Sequence, residues 1–127
     1  MGQYLIDTNI VSDFLSDSLP QKGMLFIDSV VNAVPNISVI TQIEVLCWDT
    51  DEMTIDLINS FINDCNIYNI DKQIIKDCVS IRKGNKIKTP DAIIAATALA
   101  NNQTLITNNE KDFKNIRGLQ LVNPHKL

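Results

Sequence analysis

Four acidic residues follow short apolar stretches or begin predicted helices. In a chain of alternating strands and helices, functional groups commonly lie at these positions. Asp7 follows residues 3–6, Glu44 lies just after the β-branched stretch 37–40, Asp91 lies at the start of a helical pattern, and Asp112 follows the stretch 105–107. Carboxylates that converge repel one another, by about 4 kcal/mol for a pair about 4 Å apart at an effective dielectric near 20. A divalent cation is the natural counter-charge, so these acids predict a metal centre.

The donor types indicate which metal would bind. The chain has one histidine, His125, and its three cysteines are far apart, with no Cys-x-x-Cys pair. A zinc site is therefore set aside, and oxygen donors favour Mg²⁺ or Mn²⁺, which can also hold a phosphate oxygen. These ions activate water for phosphodiester hydrolysis without a side-chain nucleophile. The single histidine agrees with this chemistry, because a metal-free ribonuclease usually relies on histidine for acid-base catalysis.

Each acid also has a structural explanation. The sequence Thr41-Gln42-Ile43-Glu44 fits a capping box, in which Glu44 would reach back to the backbone of Thr41. Asp91 follows a Thr-Pro pair in a first helical turn, where the helix dipole favours an acid. Asp7 could cap the next helix, and Asp112 could be a loop acid. The metal hypothesis depends on all four acids lying at one edge of the predicted sheet.

The elements that must position these acids are short strands and helices in alternation. A chain of 127 residues, 45% hydrophobic and 20% charged, has the size and composition of one globular domain, expected over residues 1–127. Strands are predicted at 3–6, 37–40, 67–70, 105–107 and 119–122, with helices opening at Thr41 and capped by Thr89 among those between them. This pattern predicts an α/β fold with a central, mainly parallel sheet of four to five strands flanked by helices. Sites in such sheets lie at the carboxyl ends of the strands.

Charge and hydropathy restrict the partners and the location. The amino-terminal residues have no basic or apolar leader pattern, and no run of about 18 apolar residues occurs, so a cytoplasmic protein with no membrane partner is expected. A net charge of −4 opposes a broad electrostatic grip on nucleic acid. RNA contact would then rely on metal ions, a local basic patch or a basic partner, and the candidates for such a patch, just before Asp91, are Arg82, Lys83, Lys86 and Lys88. A solvated helix end is the alternative explanation for this run.

Four segments together resemble the PIN-domain pattern. They are Leu-Ile-Asp-Thr-Asn-Ile at 5–10, Ile-Thr-Gln-Ile-Glu at 40–44, Pro-Asp-Ala-Ile-Ile-Ala-Ala-Thr-Ala at 90–98, and Leu-Ile-Thr-Asn-Asn-Glu-Lys-Asp-Phe at 105–113. The Asp-Thr-Asn opening is weak by itself but specific in combination with the closing Thr-x-Asn-x-x-Asp-Phe. The resemblance spans nearly the whole chain, in the expected order, and is greatest to the VapC-type toxins of bacterial toxin–antitoxin pairs.

The resemblance implies an endoribonuclease that uses Mg²⁺ or Mn²⁺, is typically a homodimer and is often held inactive by an antitoxin. Its RNA products would carry 5′-phosphate and 3′-hydroxyl ends. By position, the three principal acids are Asp7, Glu44 and Asp91, and the fourth site residue is Asp112 or Asn109. The polar positions that commonly orient the acids or a water molecule are Thr8, Asn9 and Thr107.

Other protein classes that begin with a strand-end aspartate fit less well. A phosphatase of the haloacid dehalogenase type requires a second acid where Asn9 stands, and a receiver domain requires an adjacent acid pair after the first strand. A dinucleotide-binding fold lacks its Gly-x-Gly-x-x-Gly. The remaining alternative is a catalytically inactive PIN-like module that binds RNA or protein, and the presence of all four acids argues against it.

Overall fold

A computed structural model describes residues 3–127. In chain order its elements are β1 (Tyr4–Ile6), α1 (Thr8–Leu15), α2 (Gln21–Ala33), β2 (Asn36–Ser38), α3 (Val39–Leu46), α4 (Glu52–Asp64), β3 (Asn66–Tyr68), α5 (Lys72–Gly84), α6 (Thr89–Ala100), β4 (Thr104–Ile106), α7 (Glu110–Phe113), β5 (Leu121–Val122) and a final 3-10 helix (Pro124–Lys126). None of the helices in this range is long and apolar enough to cross a membrane.

The five strands form one parallel sheet in the order β3-β2-β1-β4-β5, which confirms the predicted α/β fold. The first strand lies in the centre, where Leu5 is in register with Asn36 of β2 and Leu105 of β4. All five strands point the same way, so their carboxyl ends share one edge of the sheet. Asp7, the start of α3 and Thr107 directly follow β1, β2 and β4 at that edge.

Helices cover both faces of the sheet, as the near-continuous apolar strands predict. Successive strand residues point to opposite faces, so Leu5 and Ile6 enter different cores. Leu5 belongs to a cluster that includes Ile74 of α5 and Ala95 of α6. Ile6 belongs to a second cluster that includes Ile10 of α1 and other residues of α2 and α4. The sheet, packed between two hydrophobic cores, therefore holds the residues at its carboxyl edge in place.

Several local predictions differ from the structure. The strands predicted at 37–40, 67–70 and 119–122 are shorter, at Asn36–Ser38, Asn66–Tyr68 and Leu121–Val122. The third helix begins at Val39 rather than Thr41, because Ser38 serves as its N-cap and accepts a hydrogen bond from the Ile40 amide at 3.1 Å. A short β-branched run does not distinguish a strand end from a helix start. The N-cap of α6 is one residue before Thr89. Asp112 lies in the one-turn helix α7 rather than in a loop, since a single turn is too short to give a periodic pattern.

Candidate active site

Asp7 directly follows β1 and caps α1, as its position predicted. Its Oδ1 accepts a hydrogen bond from the Thr8 amide at 2.8 Å, and its Oδ2 accepts one from the Thr107 hydroxyl at 2.7 Å. The capping aspartates Asp51 and Asp71 are exposed, whereas Asp7 is only 4% exposed. Burial of an acid is costly and adds nothing to a cap. Capping is therefore a correct but incomplete account of this residue.

The surroundings of Asp7 oppose its ionisation. Burial raises the pKa of its carboxyl to about 6, and this effect outweighs the hydrogen bonds from Thr107 and Thr8, which lower the pKa. The negative charges of Asp91 and Glu44 raise the pKa further. In the absence of a cation, this carboxyl is therefore mostly protonated below about pH 6, where an ordinary aspartate is ionised.

Asp91 lies in the first turn of α6, half-buried, and connects the other acids electrostatically. Burial raises the pKa of its carboxyl, the negative charges of Asp112 and Glu44 raise it further, and the positive charge of Lys88 lowers it. Since Asp7 is also influenced by Asp91 and Glu44, the structure brings all four predicted acids into one electrostatic group.

Glu44 is oriented across the site rather than back along its own helix. Because α3 begins at Val39, the expected capping box at Thr41 does not form. Instead, the Thr8 hydroxyl donates to Glu44 Oε1 at 2.6 Å and lies 3.0 Å from the hydroxyl of Thr41, which is fully buried. Thr41 is therefore a site residue, and its predicted role as the N-cap of α3 is wrong. The three-residue spacing between Thr41 and Glu44, which places both on one helix face, was the available signal.

Asn109 and Asp112, the two candidates for the fourth site residue, are joined by a hydrogen bond. The Asn109 side-chain amide donates to Asp112 Oδ2 at 2.9 Å, and the Asn109 backbone amide donates to the Thr107 hydroxyl at 3.0 Å. Thr107 thus connects Asp7 to the segment that carries the exposed Asp112. Asn9 is exposed, and none of the hydrogen bonds that hold the acids within residues 3–127 involves it.

The four basic residues before Asp91, at positions 82, 83, 86 and 88, make different contacts. Arg82 Nε donates to the backbone carbonyl of Ile87 at 3.1 Å, so this side chain stabilises the connection between α5 and α6. Lys83 and Lys86 are exposed, and of the four only Lys88 affects the pKa of Asp91. Lys88 is therefore the residue of this run whose positive charge acts on the acids.

The side chains of the candidate site have the right chemistry to bind a divalent cation, but they are not already arranged around a metal position. Within residues 3–127, no group of three or more histidine, cysteine or acidic side chains is already arranged to hold a metal ion. The residues that converge offer carboxylate, hydroxyl and amide oxygens, which suit a hard cation. Burial, and to a lesser extent the negative charges of the neighbouring acids, raises the pKa values of Asp7 and Asp91, and a bound cation would offset both effects.

Comparison with known proteins agrees with this architecture. The PIN-domain family model matches residues 4–119. A toxin–antitoxin complex from Klebsiella pneumoniae contains a chain with 35% sequence identity and a TM-score of 0.75, and the match covers 95% of this chain and 97% of that one. A VapBC complex from Rickettsia felis bound to promoter DNA has 27% identity, a TM-score of 0.77 and coverage of 94% and 97%. No curated protein sequence matches the chain.

A third neighbour, a VapBC complex from nontypeable Haemophilus influenzae, has 25% identity, a TM-score of 0.77 and coverage of 95% and 97%. PIN-domain proteins of the VapC type are in general nucleases, and PIN-domain nucleases generally use divalent metal ions. The expected resemblance to VapC-type toxins is thereby confirmed. The family model matches residues 4–119 of the chain, and the acids are grouped at the carboxyl edge of a parallel sheet. The chain therefore belongs to the PIN-domain family.

Proposed function

We propose that this chain is an endoribonuclease dependent on Mg²⁺ or Mn²⁺ and the toxin of a toxin–antitoxin pair. The observation that carries the proposal is the burial of Asp7 beside other acids, which raises the pKa of its carboxyl to about 6. A fold gains no stability from repelling, desolvated carboxylates, and strongly perturbed acids at a strand edge are typical of functional sites.

In this proposal the residues that hold the cation are Asp7, Glu44, Asp91 and Asp112. When bound, such an ion supplies a water of lowered pKa and offsets the charge that develops on the phosphate. The Thr107 and Thr8 hydroxyls, at 2.7 Å from Asp7 and 2.6 Å from Glu44, hold these carboxylates in fixed orientations. Because Asp7 must be ionised to act as a ligand, cation binding should release a proton below about pH 6.

Lys88 is the residue we assign to the RNA backbone. It is exposed, and its positive charge acts on Asp91. A chain of net charge −4 has no general attraction for RNA. A lysine side chain beside the acids would bind a backbone phosphate at that position. Hydrolysis by water in this position would leave a 5′-phosphate and a 3′-hydroxyl.

The proposed partners are an antitoxin and a second copy of the chain. The solved neighbours from Klebsiella pneumoniae and Rickettsia felis are toxin–antitoxin assemblies. Large hydrophobic side chains are exposed on three different helices of this chain: Leu25 of α2, Met53 of α4 and Ile75 of α5 are 63%, 77% and 54% exposed. Apolar side chains exposed singly are common on monomeric proteins, so the proposal of these partners rests on the solved neighbours.

The decisive experiment measures cleavage of a labelled hairpin RNA by metal-free protein to which Mn²⁺, Mg²⁺ or EDTA is added. Cleavage should require the metal and fall at least about 100-fold in Asp7→Asn and in Asp91→Asn, since each removes a ligand. Asp28→Asn, an equal charge change at an exposed position of α2, should cleave normally. A wild type that binds RNA or a partner tightly but cleaves nothing with either metal would instead identify an inactive binding module.

A further inference from the structure

The carboxyl-terminal segment, residues 121–126, contacts the part of the chain that carries Thr107 and Asp112. Beside β5, the Thr107 amide donates to the Val122 carbonyl at 3.0 Å. The side-chain amide of Asn123 then donates to Glu110 Oε2 at 3.0 Å, and Lys126 Nζ lies 2.6 Å from the same oxygen. One carboxylate oxygen at the start of α7 thus receives two donors from the end of the chain.

Helix α7 needs such external support. It has four residues, and its N-cap, Asn109, makes no side-chain capping bond. A single helical turn is not stable without tertiary contacts. Phe113, fully buried, anchors one end of α7, and Glu110 anchors the other. Asp112 lies between these two anchors, so the Glu110 contact limits rotation of the turn about Phe113.

The segment that holds Glu110 is itself firmly placed. The 3-10 helix packs so closely on α2 that a Cβ atom at Gly23 would lie 2.1 Å from the Pro124 carbonyl oxygen. His125 Nε2 lies 2.7 Å from Asp13 Oδ2 on α1. Asn123 Oδ1 accepts from the His125 amide at 3.0 Å, so the Asn123 side chain is held with its NH₂ group toward Glu110.

We propose that Asn123, assisted by Lys126, is a positioning residue that acts through Glu110 to hold α7 and thus keep Asp112 beside Asp91. The inference rests on the proposed function in one respect, namely that Asp112 is a metal ligand. Asn123 is the more important donor, because the ion pair of Lys126, whose side chain is 70% exposed, is screened by solvent. Residues that orient ligands commonly change metal affinity about tenfold or more.

The test uses Asn123→Asp in the full chain. The new carboxylate can still accept from the His125 amide, but it places an oxygen against Glu110 and replaces attraction by repulsion. The double variant Asn123→Asp with Glu110→Gln restores a donor and acceptor pair in the reverse direction. If the single variant does not fold, Lys126→Glu, at an exposed position, brings a negative charge to the same carboxylate.

Two readouts separate positioning from general stability. In the metal-free protein, the NMR signals of the Asn109 side-chain amide, which is bonded to Asp112, should shift or broaden in Asn123→Asp and recover in the double variant. In calorimetry with Mn²⁺ alone, the affinity should fall about tenfold and recover likewise. His125→Ala is the matched control, because it breaks the contact with Asp13 in the same segment and leaves Glu110 untouched.

Unchanged Asn109 signals in Asn123→Asp would overturn the proposal, as would an equal loss of Mn²⁺ affinity in His125→Ala. A wild type that binds no Mn²⁺ would refute the proposed function, whereas the Asn109 signals would still decide whether the carboxyl-terminal segment positions α7. The two ideas therefore fail by different observations.

Discussion

The buried carboxyl of Asp7 should make the stability of the metal-free protein fall as the pH rises. Burial raises the pKa of this group from 3.8 to about 6, and only 4% of the residue is exposed. Between about pH 4 and pH 6 the folded protein keeps a proton that the unfolded chain has lost. Because the native state binds more protons, the free energy of unfolding decreases through this window and stays low above it.

The size of the effect follows from the change in pKa. A difference of about 2 units, at about 1.4 kcal/mol per unit, corresponds to about 3 kcal/mol at pH 8 relative to the fully protonated protein. Roughly half of this penalty develops between pH 5 and pH 8. Asp7→Asn abolishes the penalty and keeps the acceptor for the Thr8 amide, but it disturbs the bond from Thr107, at a cost of about 1 kcal/mol. The variant should therefore be more stable than wild type by about 2 kcal/mol at pH 8.

The assay is urea unfolding in EDTA at pH 5 and pH 8, followed by circular dichroism. The advantage of Asp7→Asn should be larger at pH 8 by about 1.4 kcal/mol, and Asp28→Asn should show no such change. Mn²⁺ at pH 8 should stabilise the wild type and leave Asp7→Asn nearly unaffected. If Asp7→Asn is less stable than wild type at pH 8, or its advantage is the same at both pH values, then capping rather than desolvation governs this residue.

Three further predictions concern the surroundings of the acids. Thr8→Val removes the 2.6 Å donor to Glu44 and should lower Mn²⁺ affinity about tenfold in calorimetry, whereas Thr8→Ser should bind normally. Gly23→Ala would place a Cβ atom against a backbone carbonyl of the 3-10 helix, and urea unfolding should show a loss of about 1–3 kcal/mol; wild-type stability would contradict this packing. Lys88→Ala should raise KM for RNA about threefold or more and weaken its salt dependence, while Lys83→Ala, in the same basic run, should have a smaller effect.

The strands were predictable in approximate position because each overlaps or adjoins a short run rich in apolar residues, and their alternation with helices indicates a parallel sheet. The order of the strands was not predictable in the same way. Strands of two or three residues contain no local pattern that selects their neighbours, and β1 lies in the centre because β2 and β4 both pair with it.

The role of Glu44 shows where local patterns compete. Thr41 and Ser38 are both acceptable N-caps, and the capping box favoured Thr41. The helix begins after Ser38, and the Thr8 hydroxyl, 36 residues away in the chain, determines where the Glu44 carboxylate lies. A local motif could not include that contact.

The residue types and their spacing were enough to predict which acids could form the site, the order in which they occur, and that strands would bring them to one edge of a sheet. The burial of Asp7, the hydrogen bond from Asn109 to Asp112 and the hydrogen bond from Asn123 to Glu110 became visible in the folded chain alone. The physical reason is distance along the chain: the hydroxyl that holds Asp7 belongs to a residue 100 positions away. Burial and electrostatic repulsion depend on such separations in space, and the local periodicities that identify helices and strands do not encode them.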